Sequence, residues 1–443
     1  MTKELLTSIQ GAPYTARRGY MKSKQLRVAM LSVHSSPLGE LGTKDTGGMS
    51  VYIRELAMEL GNQGHLVDIY TRQNHPACSP CVTISENVSL IHIEAGISGY
   101  IDKLALYPYL AEFFQQMEQF RIRKNRRYDI VHSNYWLSGR VGNWAQVHWN
   151  VPHFVLFHTL GAVKNMFSVG SPEPELRIAT EKSVSKTCSF ILAETERERT
   201  QLIQLYAAAP DKITVIPCGI NFERFRPLDK ELSRAKLGIR NSELILLYVG
   251  RLDPLKGVDR LITALTCLRH HRHLRLLIVG GDGRETKEFC NLQELSRNLG
   301  LENSITFMGR IEHNDLPHYY SAADLLVLPS HTESFGLVGL EALACGTPVV
   351  STRVGAMDQI IHSGETGYLV SSGAPGALAE GIELLIPQIR DGFLSRAAIR
   401  NSVIEFSWEQ VAAAMAEEYA GAIRGTHLRC MPDAASSLPA YGA

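Results

Sequence analysis

Hydrophobic residues recur along this chain in two alternating patterns. Short runs of Val, Ile and Leu, such as "LRVAMLSV" at 26–33 and "LILLYVG" at 244–250, predict strands buried on both faces. Between such runs, apolar residues three and four apart predict amphipathic helices, as at Val51, Ile53, Leu56, Ala57 and Leu60. The first run, a glycine-containing loop, this helix and "HLVDIYT" form one strand–helix–strand unit of a parallel sheet. "VSLIHIE", "YDIVHS", "PHFVLFHT", "FILAET" and "ITVIPCG" continue the series. The pattern restarts at 244–250 and runs on through "LRLLIVGG", "SITFMG", "DLLVLPS", "TPVVST" and "GYLV". Two doubly wound α/β units are therefore predicted, with "GINFERFRPLDKELSRAKLGI" (219–239) as the linker. A length of 443 residues suits two domains.

The expected boundaries are a flexible leader at 1–24, a first domain at 25–218, a second at 219–409 and a flexible tail at 429–443. "FSWEQVAAAMAEEYAGAIR" (406–424) reads as a helix after the second unit is complete. Its pattern alone allows it to cap the second domain or to cross back to the first.

Composition narrows the function. The chain is 45% hydrophobic and 20% charged, ordinary values for a globular protein. Its 45 Lys and Arg balance 45 Asp and Glu, which argues against a general nucleic-acid binder. Any anionic ligand must be held by local positive charge. The eight Cys show no metal-site clustering. Cys78 and Cys81 form a single C-x-x-C without the second pair a zinc site needs, so a reduced loop is preferred to a redox pair. This usage fits a reducing cytoplasm. The first 25 residues lack the apolar stretch of a secretory signal, and no apolar run reaches membrane-spanning length. The basic run "RIRKNRR" (121–127) reads as a solvated helix end, with peripheral contact to an anionic membrane surface as the alternative.

Three constellations carry candidate chemistry. "DTGGMS" (45–50) places Gly47 and Gly48 at a helix start, where backbone can approach an anion closely; a plain tight turn explains the same glycines. "VGRLDPLKG" (249–257) places Arg251 and Lys256 at the carboxyl end of a buried strand, where ligands of open α/β sheets bind. They suit a diphosphate; two solvated loop cations are the alternative. "HTESFGLVGLEALACGTPVV" (331–350) puts Glu333 before a helix that carries Glu341, about two turns on, so that both can face one cleft. The amides of Phe335, Gly336 and Leu337 would point at an anion. The alternatives are a charge satisfying the helix dipole for Glu333 and a surface residue for Glu341.

Taken together, these motifs resemble the retaining GT-B glycosyltransferases, the family of sucrose-phosphate synthase, glycogen synthase and the phosphatidylinositol mannosyltransferases. The resemblance covers roughly residues 25–425. It implies two Rossmann-like domains facing across a cleft, with the last helix (410–428) completing the first domain. It also implies a nucleotide-sugar donor held mainly by the second domain. Arg251 and Lys256 would bind the diphosphate, Glu341 the ribose and Glu333 the transferred sugar. His158 would lie near that sugar, and His34 and Gly48 would line the donor side of the first domain. No metal or other cofactor is required; Mg2+ is optional beside the diphosphate.

"RVAMLSVHSSPL", "DTGGMSVYI", "VHSNYWLSGRVG", "HTLGAVKN" and "ESFGLVGLEALACGTPVV" are similar in particular to the inositol-phosphate glycosyltransferases of mycothiol biosynthesis. Those transfer N-acetylglucosamine from UDP-GlcNAc and hold the acceptor phosphate with a Lys, a Tyr, a Thr and an Arg. The matching positions are Lys103, Tyr135, Thr159 and Arg177. Ser50 stands where that group has an Asn near the acceptor, and Arg310 in "FMGRIEH" departs from its base-binding stretch. Sucrose-phosphate synthase-like transfer, transfer to a lipid or polysaccharide precursor, and a UDP-GlcNAc 2-epimerase remain alternatives. A non-catalytic sugar-nucleotide binder fits the Arg251, Lys256 and Glu333 set less well. A dehydrogenase is disfavoured because no G-x-G-x-x-G fingerprint follows a strand. A homodimer is compatible with the sequence.

Overall fold

The computed structural model describes residues 24–41, 46–167, 169–281 and 286–426. The expected leader, apart from Lys24, and the expected tail lie outside these residues, as does Asp45. The first sheet comprises β1 (Arg27–Leu31), β2 (Leu66–Arg72), β3 (Cys81–Ser85), β4 (Val88–Ile93), β5 (Ile130–Asn134), β6 (His153–Leu156), β7 (Phe190–Ala193) and β8 (Ile213–Val215). Its order is β3-β4-β2-β1-β5-β6-β7-β8, parallel except for β3. The second sheet comprises β9 (Leu244–Val249), β10 (Leu274–Val279), β11 (Ile305–Gly309), β12 (Leu325–Leu328), β13 (Val349–Ser351) and β14 (Gly367–Leu369). Its order is β11-β10-β9-β12-β13-β14, and every pairing is parallel. Both are doubly wound sheets with helices on each face, as the buried Val, Ile and Leu runs predict.

Three local readings change. Cys81, expected in a loop, starts β3, an antiparallel edge strand that turns back at Glu86 and Asn87 onto β4. The stretch read as a linker contains the helix Lys230–Leu237, capped by the Asp229 side chain and ended by Gly238. It belongs to the second domain. Arg234 reaches from it to the carbonyl of Ala322 and the carboxylate of Asp324, both within hydrogen-bond distance. The basic run is not simply solvated. Arg121 grips Glu118 through two bonds of 2.7 Å and stacks on Trp149, while Arg126 pairs with Asp68.

The final helix, Trp408–Thr426, packs on the first-domain helix Gly48–Asn62. Tyr419 shares a 2.6 Å hydrogen bond with the buried His132, and the Trp408 ring lies edge-on to Tyr52. One continuous apolar core runs from the inner face of the first sheet through Trp408, Val411 and Met415 to Leu340 and Leu343 of the second domain. Burying these side chains contributes about 1.5–3 kcal/mol each, so this helix joins the two halves.

Candidate active site

The carboxyl ends of both sheets face each other, and the candidate residues stand there. His34 follows β1, Tyr135 follows β5, His158 follows β6, Arg251 follows β9 and Glu333 follows β12. Two of them hold strained backbone. His158 has φ of 59° and Tyr135 has φ of 77°, in the left-handed region that bulky residues avoid. Strain of this kind persists only where surrounding structure imposes it, and it concentrates at functional sites. At His158 the imposing contacts come from both domains. Asn134 Oδ1 lies 2.9 Å from its Nε2, the Tyr52 ring packs edge-on, and the Ser334 hydroxyl donates to its carbonyl from across the cleft. Burial drives the His158 imidazole well below its ordinary value, so the ring is neutral near pH 7.

On the second-domain side, Lys256 Nζ lies 2.7 Å from each carboxylate oxygen of Glu333, and Ser330 donates to the same carboxylate. Arg251 is more exposed, with its guanidinium 3.9 Å from Asp253. Its carbonyl accepts a 2.7 Å bond from the Tyr248 hydroxyl, which sets the loop at the strand end. Glu333 sits in the loop before the helix Leu337–Ala344, so the helical spacing expected between Glu333 and Glu341 does not apply. Glu341 is not a surface residue. It is 5% exposed, and its two oxygens accept from Tyr320 at 2.6 Å and His313 at 3.0 Å. Each carboxylate oxygen retains a second acceptor position. Gly336 caps the helix with φ of 97°, where an added Cβ would fall 2.7 Å from Met357 Cε. The first amides of that helix, Leu337 among them, have no partner within it by helical geometry.

Lys103, Tyr135, Thr159 and Arg177 converge. Lys103 Nζ lies 5.8 Å from the centre of the Tyr135 ring and the Arg177 guanidinium 4.8 Å from it, within cation–π range. Arg177 donates to both the hydroxyl and the carbonyl of Thr159, at 2.9 and 2.7 Å. Arg177 is 1% exposed and already bound to Glu173 and Glu181, so its role is first to rigidify this corner. The Tyr135 hydroxyl is pushed by burial up to about 12 and stays protonated, a donor at neutral pH. The His34 ring lies tilted against that of Tyr135, with centroids 4.7 Å apart, and its Nδ1 is closed off without a hydrogen-bond partner among the described residues. Burial, then the charges of Lys103 and Arg177, hold it neutral.

Two further expected residues make contacts of their own. Ser50 is fully buried, and its hydroxyl pairs at 2.8 Å with that of Ser35 in the loop after β1. Gly48 faces the other domain: a Cβ there would lie 3.3 Å from Leu337 Cδ1. Arg310 also crosses the cleft, 2.7 Å from Glu40.

Sequence reasoning missed Glu194, at the end of β7. It is 3% exposed, 3.9 Å from His158 Nδ1, and accepts from the Cys218 thiol at 2.8 Å. Glu198 lies beside it and accepts the Glu194 amide at 2.7 Å. Burial raises the Glu194 carboxyl to about 7 and the Glu198 carboxyl to about 8. The available signal was position: "FILAET" ends a strand on the same sheet edge as His158.

Comparison with known proteins fits this geometry. Residues 47–219 match the glycosyl transferase 4-like domain, and residues 229–392 match glycosyl transferases group 1. The chain is 38% identical to D-inositol 3-phosphate glycosyltransferase 2 of Catenulispora acidiphila, across 91% of this chain and 96% of that protein. The chain belongs to the group 1 glycosyltransferases. A D-inositol 3-phosphate glycosyltransferase of Mycobacteroides abscessus is 37% identical across 92% of both chains. The solved sucrose-phosphate synthase from Thermosynechococcus elongatus superposes with a TM-score of 0.83 at 31% identity, over 90% of this glycosyltransferase and all of that chain. The two-domain architecture is thus the GT-B fold. No helix among the described residues of this glycosyltransferase is long and apolar enough to cross a membrane.

Proposed function

We propose that this enzyme transfers N-acetylglucosamine from UDP-GlcNAc to a phosphorylated polyol such as 1D-myo-inositol 3-phosphate, with retention at the anomeric carbon. The observation that carries this reading is the Lys103–Tyr135–Arg177 stack beside Thr159, which offers a phosphate cradle in the first domain. Across the cleft stand Lys256 and Glu333. The similarity to D-inositol 3-phosphate glycosyltransferases supports the acceptor.

In this reading Arg251 and Lys256 neutralise the charge growing on the departing diphosphate. Phe335, Gly336 and Leu337 present helix N-terminal amides to the same group. Glu341 accepts from ribose hydroxyls with its remaining acceptor positions, and Glu333 from the sugar. His158 faces the transferred sugar, with His34 and Gly48 lining the same side. The acceptor attacks from the face that the diphosphate leaves, and the diphosphate takes the acceptor proton. The protein then acts by positioning and by charge. No cofactor is required, and Mg2+ accompanies the diphosphate only optionally. The site works in the cytoplasm.

The likeness to a sucrose-phosphate synthase supports a second reading, with fructose 6-phosphate as acceptor. One matrix separates the two: UDP-, GDP- and ADP-sugars against inositol phosphate, fructose 6-phosphate and their unphosphorylated forms, read by mass spectrometry. A product from UDP-GlcNAc with inositol 3-phosphate supports the first reading. Exclusive use of fructose 6-phosphate supports the second.

A further inference from the structure

Away from the cleft, at the amino-terminal edge of the second sheet, two adjacent histidines converge on one carboxylate. His270 and His271 precede β10, and Glu383 projects from the helix Pro375–Arg390. The Nε2 atoms of both histidines lie 3.0 Å from the same oxygen, Glu383 Oε1, and the three ligand atoms all fall within 4.8 Å of one another. We propose that His270, His271 and Glu383 form a binding site for a divalent transition-metal ion of the Zn2+ type.

The spacing fits the ion. With metal–ligand distances of 2.0–2.2 Å and tetrahedral angles, donor atoms around Zn2+ sit about 3.3 Å apart. The two histidine–carboxylate separations, 3.0 Å each, are close to that value, and all three donor atoms lie within 4.8 Å of one another. Two of the three ligands are held in place. His271 is largely buried; its amide donates to the Leu268 carbonyl and its carbonyl accepts from the Leu274 amide, while Glu383 rides on a 16-residue helix. His270 is exposed, with its ring centre 4.1 Å from that of His271, and would complete the site on its solvent side. Two imidazoles and one carboxylate select borderline ions such as Zn2+ over Mg2+ and Ca2+, which require oxygen ligands. A bound ion would tie the loop before β10 to the helix Pro375–Arg390 and stabilise the second domain through binding to the folded state alone. Sequence spacing gave no sign of it, because Glu383 lies 112 residues from His271.

The test is calorimetric titration of the full chain, without an affinity tag of histidines, with Zn2+ and separately with Mg2+. One equivalent of Zn2+ is expected at micromolar affinity, weakened at least tenfold in His270→Ala and in Glu383→Gln, with Mg2+ giving no signal at this site. A Zn2+-induced rise in melting temperature should vanish in His270→Ala, whose exposed side chain leaves the fold intact. Absence of a saturable equivalent, or unchanged affinity in both variants, overturns the proposal. Sugar-transfer turnover in His270→Ala should stay at the parent level, so this site stands or falls apart from the catalytic reading.

Discussion

Lys256 Nζ sits 2.7 Å from both carboxylate oxygens of Glu333, so the residues proposed for the diphosphate and for the sugar neutralise each other. A donor that draws the ammonium to its diphosphate would free Glu333 for sugar hydroxyls. Binding of the leaving group and orientation of the sugar are then coupled. Lys256→Ala should lower turnover about 100-fold, the usual size for losing a preorganised charge stabiliser. Steady-state kinetics with UDP-GlcNAc checks this, and near-parent turnover would remove Lys256 from the chemistry.

The proposed phosphate cradle leads to a prediction of a different kind. Tyr135→Phe removes one donor while keeping the ring that Lys103 and Arg177 lie over. The expected loss is about 1–1.5 kcal/mol, roughly a tenfold rise in acceptor KM, with donor KM unchanged. Arg177→Ala should instead destabilise the fold by about 3–5 kcal/mol, because Glu181, fully buried, would lose its ion pair. Thermal melting distinguishes the two variants: Tyr135→Phe should melt near the parent temperature and Arg177→Ala well below it.

Gly48 approaches Leu337 across the cleft so closely that even a methyl group would touch it. Gly48→Val should hold the domains apart, raising the radius of gyration seen by small-angle scattering in the presence of UDP and depressing turnover at least tenfold. Leu337→Ala in the same chain should restore part of both. An unchanged radius in Gly48→Val would mean that closure does not pass through this contact.

Glu194 and Glu198 dictate the sign of a pH effect on stability. Both carboxyls are raised in the folded state, so the stability they confer is fully present below the ordinary carboxylate range. It is lost as pH climbs through about 7 and about 8. Melting temperature should therefore fall between roughly pH 5 and pH 8. Glu194→Gln should flatten that fall. A slope unchanged by the substitution would show that this pair does not titrate in the range.

Much of the architecture is legible in the chain because a strand covered on both faces must be a short apolar run. β1, β9 and β10 declare themselves in this way. β3 does not, since "CVTIS" is a partly exposed edge strand with mixed polarity. The helix Lys230–Leu237 was hidden in a charged stretch, although Asp229 and Gly238 mark its two ends. In the site, residue types were readable at strand ends, as with Arg251 and His158. Partnerships were not. The Lys256–Glu333 bridge spans 77 residues, and the Ser334–His158 bond joins two domains. Ser50 is a further case: its motif position was readable, and its pairing with the Ser35 hydroxyl was not.

Retaining transfer to a phosphorylated polyol is decided by proton NMR of the full chain with UDP-GlcNAc, offered 1D-myo-inositol 3-phosphate or free inositol. An α-linked product is expected with the phosphate, and at least a hundredfold slower transfer without it. A β-linked product, or equal use of free inositol, would contradict it.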